Sequence, residues 1–191
     1  MKKLAIFVSG GGSNFQAIID AVKAKTINAK IELVISSSEK AYALERAKEN
    51  NIEAYVFKKE QKLDTMFLKI DTLLQERKID YIILAGYMTV LPASFVEKYP
   101  KKIINVHPSL IPKYSGVGFY GMHVHNAVIA GGEIESGCTV HFVDSGVDTG
   151  EIIGIAKVPV YKTDTAECLQ KRVLEKEHEL LPQVVARLCL N

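Results

Sequence analysis

The chain has no tryptophan and, over 191 residues, only three cysteines (Cys138, Cys168 and Cys189), none in a Cys-x-x-Cys pair. An odd number without that spacing gives neither a disulfide framework nor a zinc ribbon, which points to a reducing compartment and a cytoplasmic location. Long apolar runs are missing too: nothing approaches the ~18 uninterrupted residues of a membrane helix. The opening run Leu4 to Val8 is too short for a signal peptide, is followed at once by Ser9-Gly10-Gly11-Gly12, and reads as a buried strand. An excess of charge of one sign is also missing, with 24 Lys plus Arg against 22 Asp plus Glu. Lys58-Lys59 does not grow into the basic patch a nucleic-acid binder uses, so neither nucleic acid nor a membrane is expected as a partner. There is no internal repeat, low-complexity tract or linker where a second domain could begin, and the length suits one. Residues 1–191 are therefore expected to form a single domain.

Short Ile- and Val-rich runs alternate with helix-like stretches. Lys3–Val8, Ile31–Ile35, Ala54–Phe57, Tyr81–Leu84 and Ile103–Val106 read as strands; Ser13–Lys23, Tyr42–Asn50, Leu63–Arg77 and Ser94–Tyr99 read as the helices between them. Such β-α-β crossovers imply an α/β, Rossmann-like, mostly parallel sheet flanked by helices, with ligands outside the carboxyl ends of the strands. The rhythm changes after residue 107. A Pro- and Gly-rich segment, Pro108 to Gly121, leads to a short helix near Val124–Ala130. Cys138–Val143 and Ile152–Val160 then form a strand pair across the turn Asp144–Gly150. The end, Ala166 to about Leu188, has helical periodicity that Pro182 should interrupt.

Ser9-Gly10-Gly11-Gly12-Ser13-Asn14 lies where the first strand turns into the first helix. Glycines let backbone approach an anion closely, and the free N–H groups of a helix terminus favour negative charge. Ser13 or Asn14 could cap the helix or donate to a phosphate. A dinucleotide fingerprint would need glycine where Phe15 stands and an acid where Ser36-Ser37-Ser38 stand; a Walker loop would need Gly-Lys-Ser/Thr. Neither is present. A phosphate monoester fits best, although such turns also occur with no ligand.

Asn105-Val106-His107-Pro108 closes the fifth strand. Alternation puts Asn105 and His107 on one face, and Pro108 stops the strand at the carboxyl edge. By spacing alone a histidine bonded within the core reads as well as a functional one. Asp148-Thr149-Gly150 supplies a carboxylate that could orient the histidine and keep it charged. Asp144 is a rival that spacing does not separate from it. His123 and His125 diverge on a helix with no third ligand nearby, and His141 and His178 read as packed or exposed side chains, so no metal is expected.

In order, Ser9–Asn14, Leu84-Ala85-Gly86-Tyr87-Met88, Ile104-Asn105-Val106-His107-Pro108-Ser109-Leu110-Ile111-Pro112, and His141-Phe142-Val143 running to Asp148-Thr149-Gly150 resemble the phosphoribosylglycinamide formyltransferase family. The resemblance covers nearly the whole chain and implies the formyltransferase fold, with a C-terminal antiparallel strand pair. It implies that Asn105, His107 and Asp148 are catalytic, and prefers Asp148 to Asp144. It also implies that Gly12, Ser13 and Asn14 hold the phosphate of 5-phosphoribosylglycinamide and Glu177 its ribose, and that Met88, Thr89, Val90, Leu91 and Asn105 bind the folate. The expected substrates are that nucleotide and 10-formyltetrahydrofolate as co-substrate, with no metal, in a monomer or weak homodimer. Some members carry Arg where Thr89 stands, and the loop Tyr114–Gly121 is longer here than their Tyr-Pro-Gly version.

The resemblance implies direct transfer in purine biosynthesis: the amine attacks the formyl carbon, Asn105 and protonated His107 hold the oxyanion, and Asp148 keeps His107 charged. Formyltetrahydrofolate deformylase is the same-fold alternative, but its amino-terminal regulatory domain has no room before a strand that begins by Lys3. Methionyl-tRNA formyltransferase would add a carboxyl-terminal RNA-binding domain beyond Asn191. A non-catalytic nucleotide-binding module is the alternative from another class.

Overall fold

The computed structural model describes residues 1–58 and 62–190; Lys59 of the short basic run and the terminal Asn191 lie outside them. Seven strands form one sheet: β1 (Lys2–Val8), β2 (Ala29–Ser36), β3 (Glu53–Val56), β4 (Tyr81–Leu84), β5 (Ile103–His107), β6 (Glu135–Phe142) and β7 (Ile152–Pro159). The helices are α1 (Ser13–Lys23), α2 (Ala43–Glu49), α3 (Leu63–Glu76), α4 (Ala93–Val96), α5 (Met122–Ala130) and α6 (Ala166–Cys189). The strand order is β3-β2-β1-β4-β5-β6-β7. β1 to β5 run parallel, β6 runs antiparallel to β5, and β7 antiparallel to β6. The expected α/β sheet and its terminal antiparallel pair are thus present.

The apolar run of β1 is continuous because both faces of the sheet are covered. Leu4, Ile6 and Val8 pack on one side with Phe15 and Ile18 of α1 and with Leu181 and Val184 of α6. Ala5 and Phe7 pack on the other with Met66, Phe67 and Ile70 of α3 and with Phe95 of α4. The chain leaves β1 toward β2 on one side and returns to β4 on the other, so the strand order reverses between β1 and β4. That switch point opens a crevice at the carboxyl ends of these strands.

Element ends differ from the sequence reading by a few residues. α4 is Ala93–Val96 where Ser94–Tyr99 was expected, starting one residue earlier and ending three earlier; α5 starts at Met122, and β6 starts at Glu135. Pro182 does not interrupt α6, which is one helix of 24 residues. A proline inside a helix costs about 3 kcal/mol. Here Leu169, Val173, Leu180, Leu181, Val184 and Val185 are buried on both sides of it. At roughly 1.5–3 kcal/mol for each large apolar side chain buried, packing outweighs the lost bond.

Candidate functional site

A cavity of about 830 Å³ occupies the crevice. The glycine turn after β1, the segment after β4, the end of β5, the loop before α5, the turn 144–148 and one face of α6 all line it. It is large enough for a substantial organic ligand.

At its β1 end, Gly12 occupies the N-cap position of α1 with φ 69°, and no side chain caps the helix. Neither Ser13 nor Asn14 therefore serves as the cap that the sequence allowed. A cap in the left-handed region suits glycine, and it leaves the first-turn N–H groups without an intrahelical acceptor. Asn14 instead donates from Nδ2 to Oε2 of Glu177 at 2.6 Å, across 163 residues of chain. Its own Oδ1 is buried without a partner. Burial raises the Glu177 carboxyl to about 7, against the lowering effect of the Asn14 bond. The sequence-expected nucleotide residues Gly12, Ser13, Asn14 and Glu177 thus line one end of one cavity.

Asn105 and His107 sit at the end of β5 and both line the cavity. His107 Nδ1 lies 3.4 Å from Oδ2 of Asp148, and its Nε2 donates to the Tyr114 carbonyl at 2.9 Å. The Gly116 N–H donates to Asp148 Oδ2 at 3.0 Å. Asp144 turns away: its Oδ1 accepts from the Gly146 N–H at 3.1 Å and from the Thr149 hydroxyl at 2.6 Å, closing its own turn. Geometry therefore separates the two aspartates that spacing left open. Tyr114 and Asp148 both hold positive φ, 52° and 57°. Non-glycine residues in that region store local strain, which concentrates at functional sites.

Burial is the largest influence on His107 and pulls it below its ordinary 6.5, against the raising effects of the Tyr114 carbonyl and the Asp148 charge. Desolvation thus works against the charged His107 that the resemblance implies, while an acceptor at each ring nitrogen favours it. Burial also raises the Asp148 carboxyl. The His141 ring, the His107 charge and the Gly116 N–H outweigh it and hold Asp148 below its ordinary 3.8.

Met88, Thr89, Val90 and Leu91 line the mouth, with Met88 and Val90 more than half exposed. Their segment is tied to the glycine turn by Ser9, whose hydroxyl accepts from the Met88 N–H at 2.8 Å.

Two histidines read as ordinary from sequence belong to the site. His141 stands opposite Asn105 in the β5–β6 register. Its Nε2 lies 3.3 Å from Asn105 Nδ2 and 3.5 Å from Asp148 Oδ1. His125 is buried in α5 and lines the cavity, its Nδ1 has no partner, and burial pushes it down to about 4. His123 does diverge from it, exposed and edge-on to Tyr120. Among the described residues no group of three or more His, Cys, Asp or Glu side chains is arranged to hold a metal. No helix there is long and apolar enough to cross a membrane.

The sequence model of a family described as formyl transferase matches residues 2–185. The chain is 41% identical over 187 residues to a phosphoribosylglycinamide formyltransferase of Haemophilus influenzae, covering 97% of this chain and 86% of that protein. It is 42% identical over 191 residues to a chloroplastic phosphoribosylglycinamide formyltransferase of Vigna unguiculata, covering 98% of this chain but 61% of that one. A crystal structure of glycinamide ribonucleotide transformylase 1 from Symbiobacterium toebii superimposes with a TM-score of 0.93 at 33% identity, covering all of this chain and 88% of that one.

Proposed function

The chain belongs to the formyl transferase family, and we propose that it moves the formyl group of 10-formyltetrahydrofolate onto the amine of 5-phosphoribosylglycinamide, the formylation step of purine synthesis. The observation that carries this reading is one cavity holding an uncapped, glycine-lined helix start at one end and Asn105, His107 and Asp148 at the other. The phosphate sits on the turn Gly12–Asn14, the ribose hydroxyls meet Glu177, and the folate lies along Met88–Leu91 and reaches Asn105. Residues 1–191 act as one cytoplasmic catalytic domain, monomeric or weakly dimeric. The substrates are small molecules, and neither nucleic acid nor a membrane takes part.

The amine nitrogen bonds to the formyl carbon while the carbonyl oxygen gains negative charge. Asn105 Nδ2 and His107 Nε2 donate to that oxygen, the latter exchanging the Tyr114 carbonyl for it. One such donor is worth about 2.7–4 kcal/mol in a transition state. As negative charge builds beside it, the His107 ring gains proton affinity, and with Asp148 it handles the proton the amine must lose. The carbon–nitrogen bond to the folate then breaks, and the same proton ends on the departing nitrogen. No enzyme-bound formyl intermediate or resident metal is required.

The test is release of tetrahydrofolate from 10-formyltetrahydrofolate with and without glycinamide ribonucleotide. Release that depends on the nucleotide is expected; release that ignores it would make the protein a hydrolase of the folate. A pH effect should accompany it. Glu177 titrates at about 7 in the ligand-free site, and only its ionised form accepts hydrogen bonds with both oxygens. The KM for the nucleotide should therefore fall as pH rises through 7. Glu177→Gln should weaken binding and remove that dependence, and a variant that kept the wild-type slope would place the titration elsewhere.

A further inference from the structure

The cavity contains three carboxylates, Asp144, Asp148 and Glu177, and no lysine or arginine lines it among the described residues. A phosphate dianion entering it would meet backbone N–H groups, neutral polar side chains such as Ser13 and Asn14, and carboxylates, but no lysine or arginine. The charge that offsets this stands behind the turn. We infer that Arg46 is the positioning residue of the phosphate turn, fixing the direction of its donors and supplying the positive charge the cavity lacks; this rests on the phosphate-site reading above.

Arg46 lies in α2, half-buried, and its Nε donates to the Gly11 carbonyl at 2.9 Å. A trans peptide points its C=O and N–H in opposite directions. Holding the Gly11 carbonyl toward α2 therefore turns the Gly12 N–H of the same peptide away from α2. A charge-assisted bond to that carbonyl also polarises the peptide and makes the Gly12 N–H a stronger donor.

The guanidinium is itself fixed. Its Nη1 donates to Gln16 Oε1 on α1 at 2.9 Å, and its Cζ sits 5.0 Å from the centroid of the Tyr42 ring. The Ala43 N–H bonds to the Gly10 carbonyl at 3.1 Å, so α2 grips two successive peptides of the turn. A Cβ on Gly12 would meet Ala43 Cβ at 2.7 Å, which shows how closely α2 backs the turn.

The experiment compares kcat and KM of wild type, Arg46→Ala and Arg46→Lys with glycinamide ribonucleotide and with its dephosphorylated riboside. Arg46→Ala should raise the KM for the nucleotide about tenfold or more. It should leave kcat, the KM for formyl folate and the kcat/KM for the riboside close to wild type, so the preference for the phosphorylated substrate narrows by the same factor. Arg46→Lys keeps the charge and loses the fork, and should recover part of the loss; it carries the test if the alanine variant does not fold. Equal losses on nucleotide and riboside would reduce Arg46 to a structural residue and overturn the inference, as would an unchanged nucleotide KM. If wild type transferred no formyl group, the functional reading would fail first. Calorimetric titration with inorganic phosphate would then decide, since weaker binding to Arg46→Ala than to wild type supports the inference and equal or absent binding overturns it.

Discussion

With His107 replaced by alanine, formyl transfer is expected to slow by about 10²–10⁴-fold while the protein stays folded, because the substitution removes both an oxyanion donor and the proton carrier. Asp148→Asn should cost a similar factor. The carboxylate accepts from the Gly116 N–H and faces two imidazoles, so its neutral amide would keep the shape of the site and lose the charge that attracts a proton to His107. Effects that act through one proton path do not add. The double variant should thus be little worse than either single one. Kinetics on the three variants, with circular dichroism to confirm folding, would check this, and additive losses would mean that the two residues work independently.

The same balance fixes the acid side of the pH profile. Because burial holds His107 below 6.5, its neutral form persists to lower pH than an exposed imidazole would. Activity should decline only as pH falls through that lowered value. The stability linkage has the same sign. Below 6.5 the unfolded chain takes up protons at His107 and at His125, whose ring titrates at about 4 when folded, so these two sites destabilise the fold progressively as pH falls through that window. Glu177 opposes them: its folded value of about 7 stands above the ordinary 4.5, so the stability it contributes is present at low pH and lost as pH rises toward 7.

What the sequence makes legible follows from how local each signal is. The strand run Leu4–Val8, the glycines after it and the pairing of Asn105 with His107 depend on neighbours within a few residues, and all are present as read. Continuity of α6 through Pro182 depends on what packs against it, which periodicity does not report. His141 joins the site only because β6 pairs antiparallel with β5 in the register that sets it opposite Asn105. The alternation of His141 with Thr139 and Cys138 with Val140 was the one available hint, but without that register it reads as an ordinary buried strand. Arg46 is harder still, since its partner is a main-chain carbonyl 35 residues away. The Asn14–Glu177 bond spans nearly the whole chain, and only the family resemblance singled out Glu177. At His107 a neighbouring carboxylate that favours the charged ring is visible in a sequence, and the desolvation that opposes it is not.

The second large effect is expected from Gly150→Ala, which should destabilise the protein and disable it together. A Cβ at Gly150 would lie 1.8 Å from the Phe142 carbonyl oxygen, 2.9 Å from its carbon and 3.3 Å from the Asp144 nitrogen. All three are backbone atoms, so no rotamer relieves the overlap. The Phe142 N–H also bonds to the Glu151 carbonyl at 2.9 Å, which ties the far end of the turn to β6. Either β6 or the turn from Asp144 must move, at a cost of about 3 kcal/mol. For a domain of this size that is a drop in Tm of roughly 6–12 °C. Asp148 lies two residues before Gly150 and already holds φ 57°, so it moves with the turn. A displacement of about 1 Å in a catalytic group can cost roughly 10²-fold in rate. Differential scanning calorimetry and kcat on the same preparation test both halves: a lowered Tm with full activity would show that the turn accommodates the methyl group without shifting Asp148, and would remove the link between this turn and the proton path.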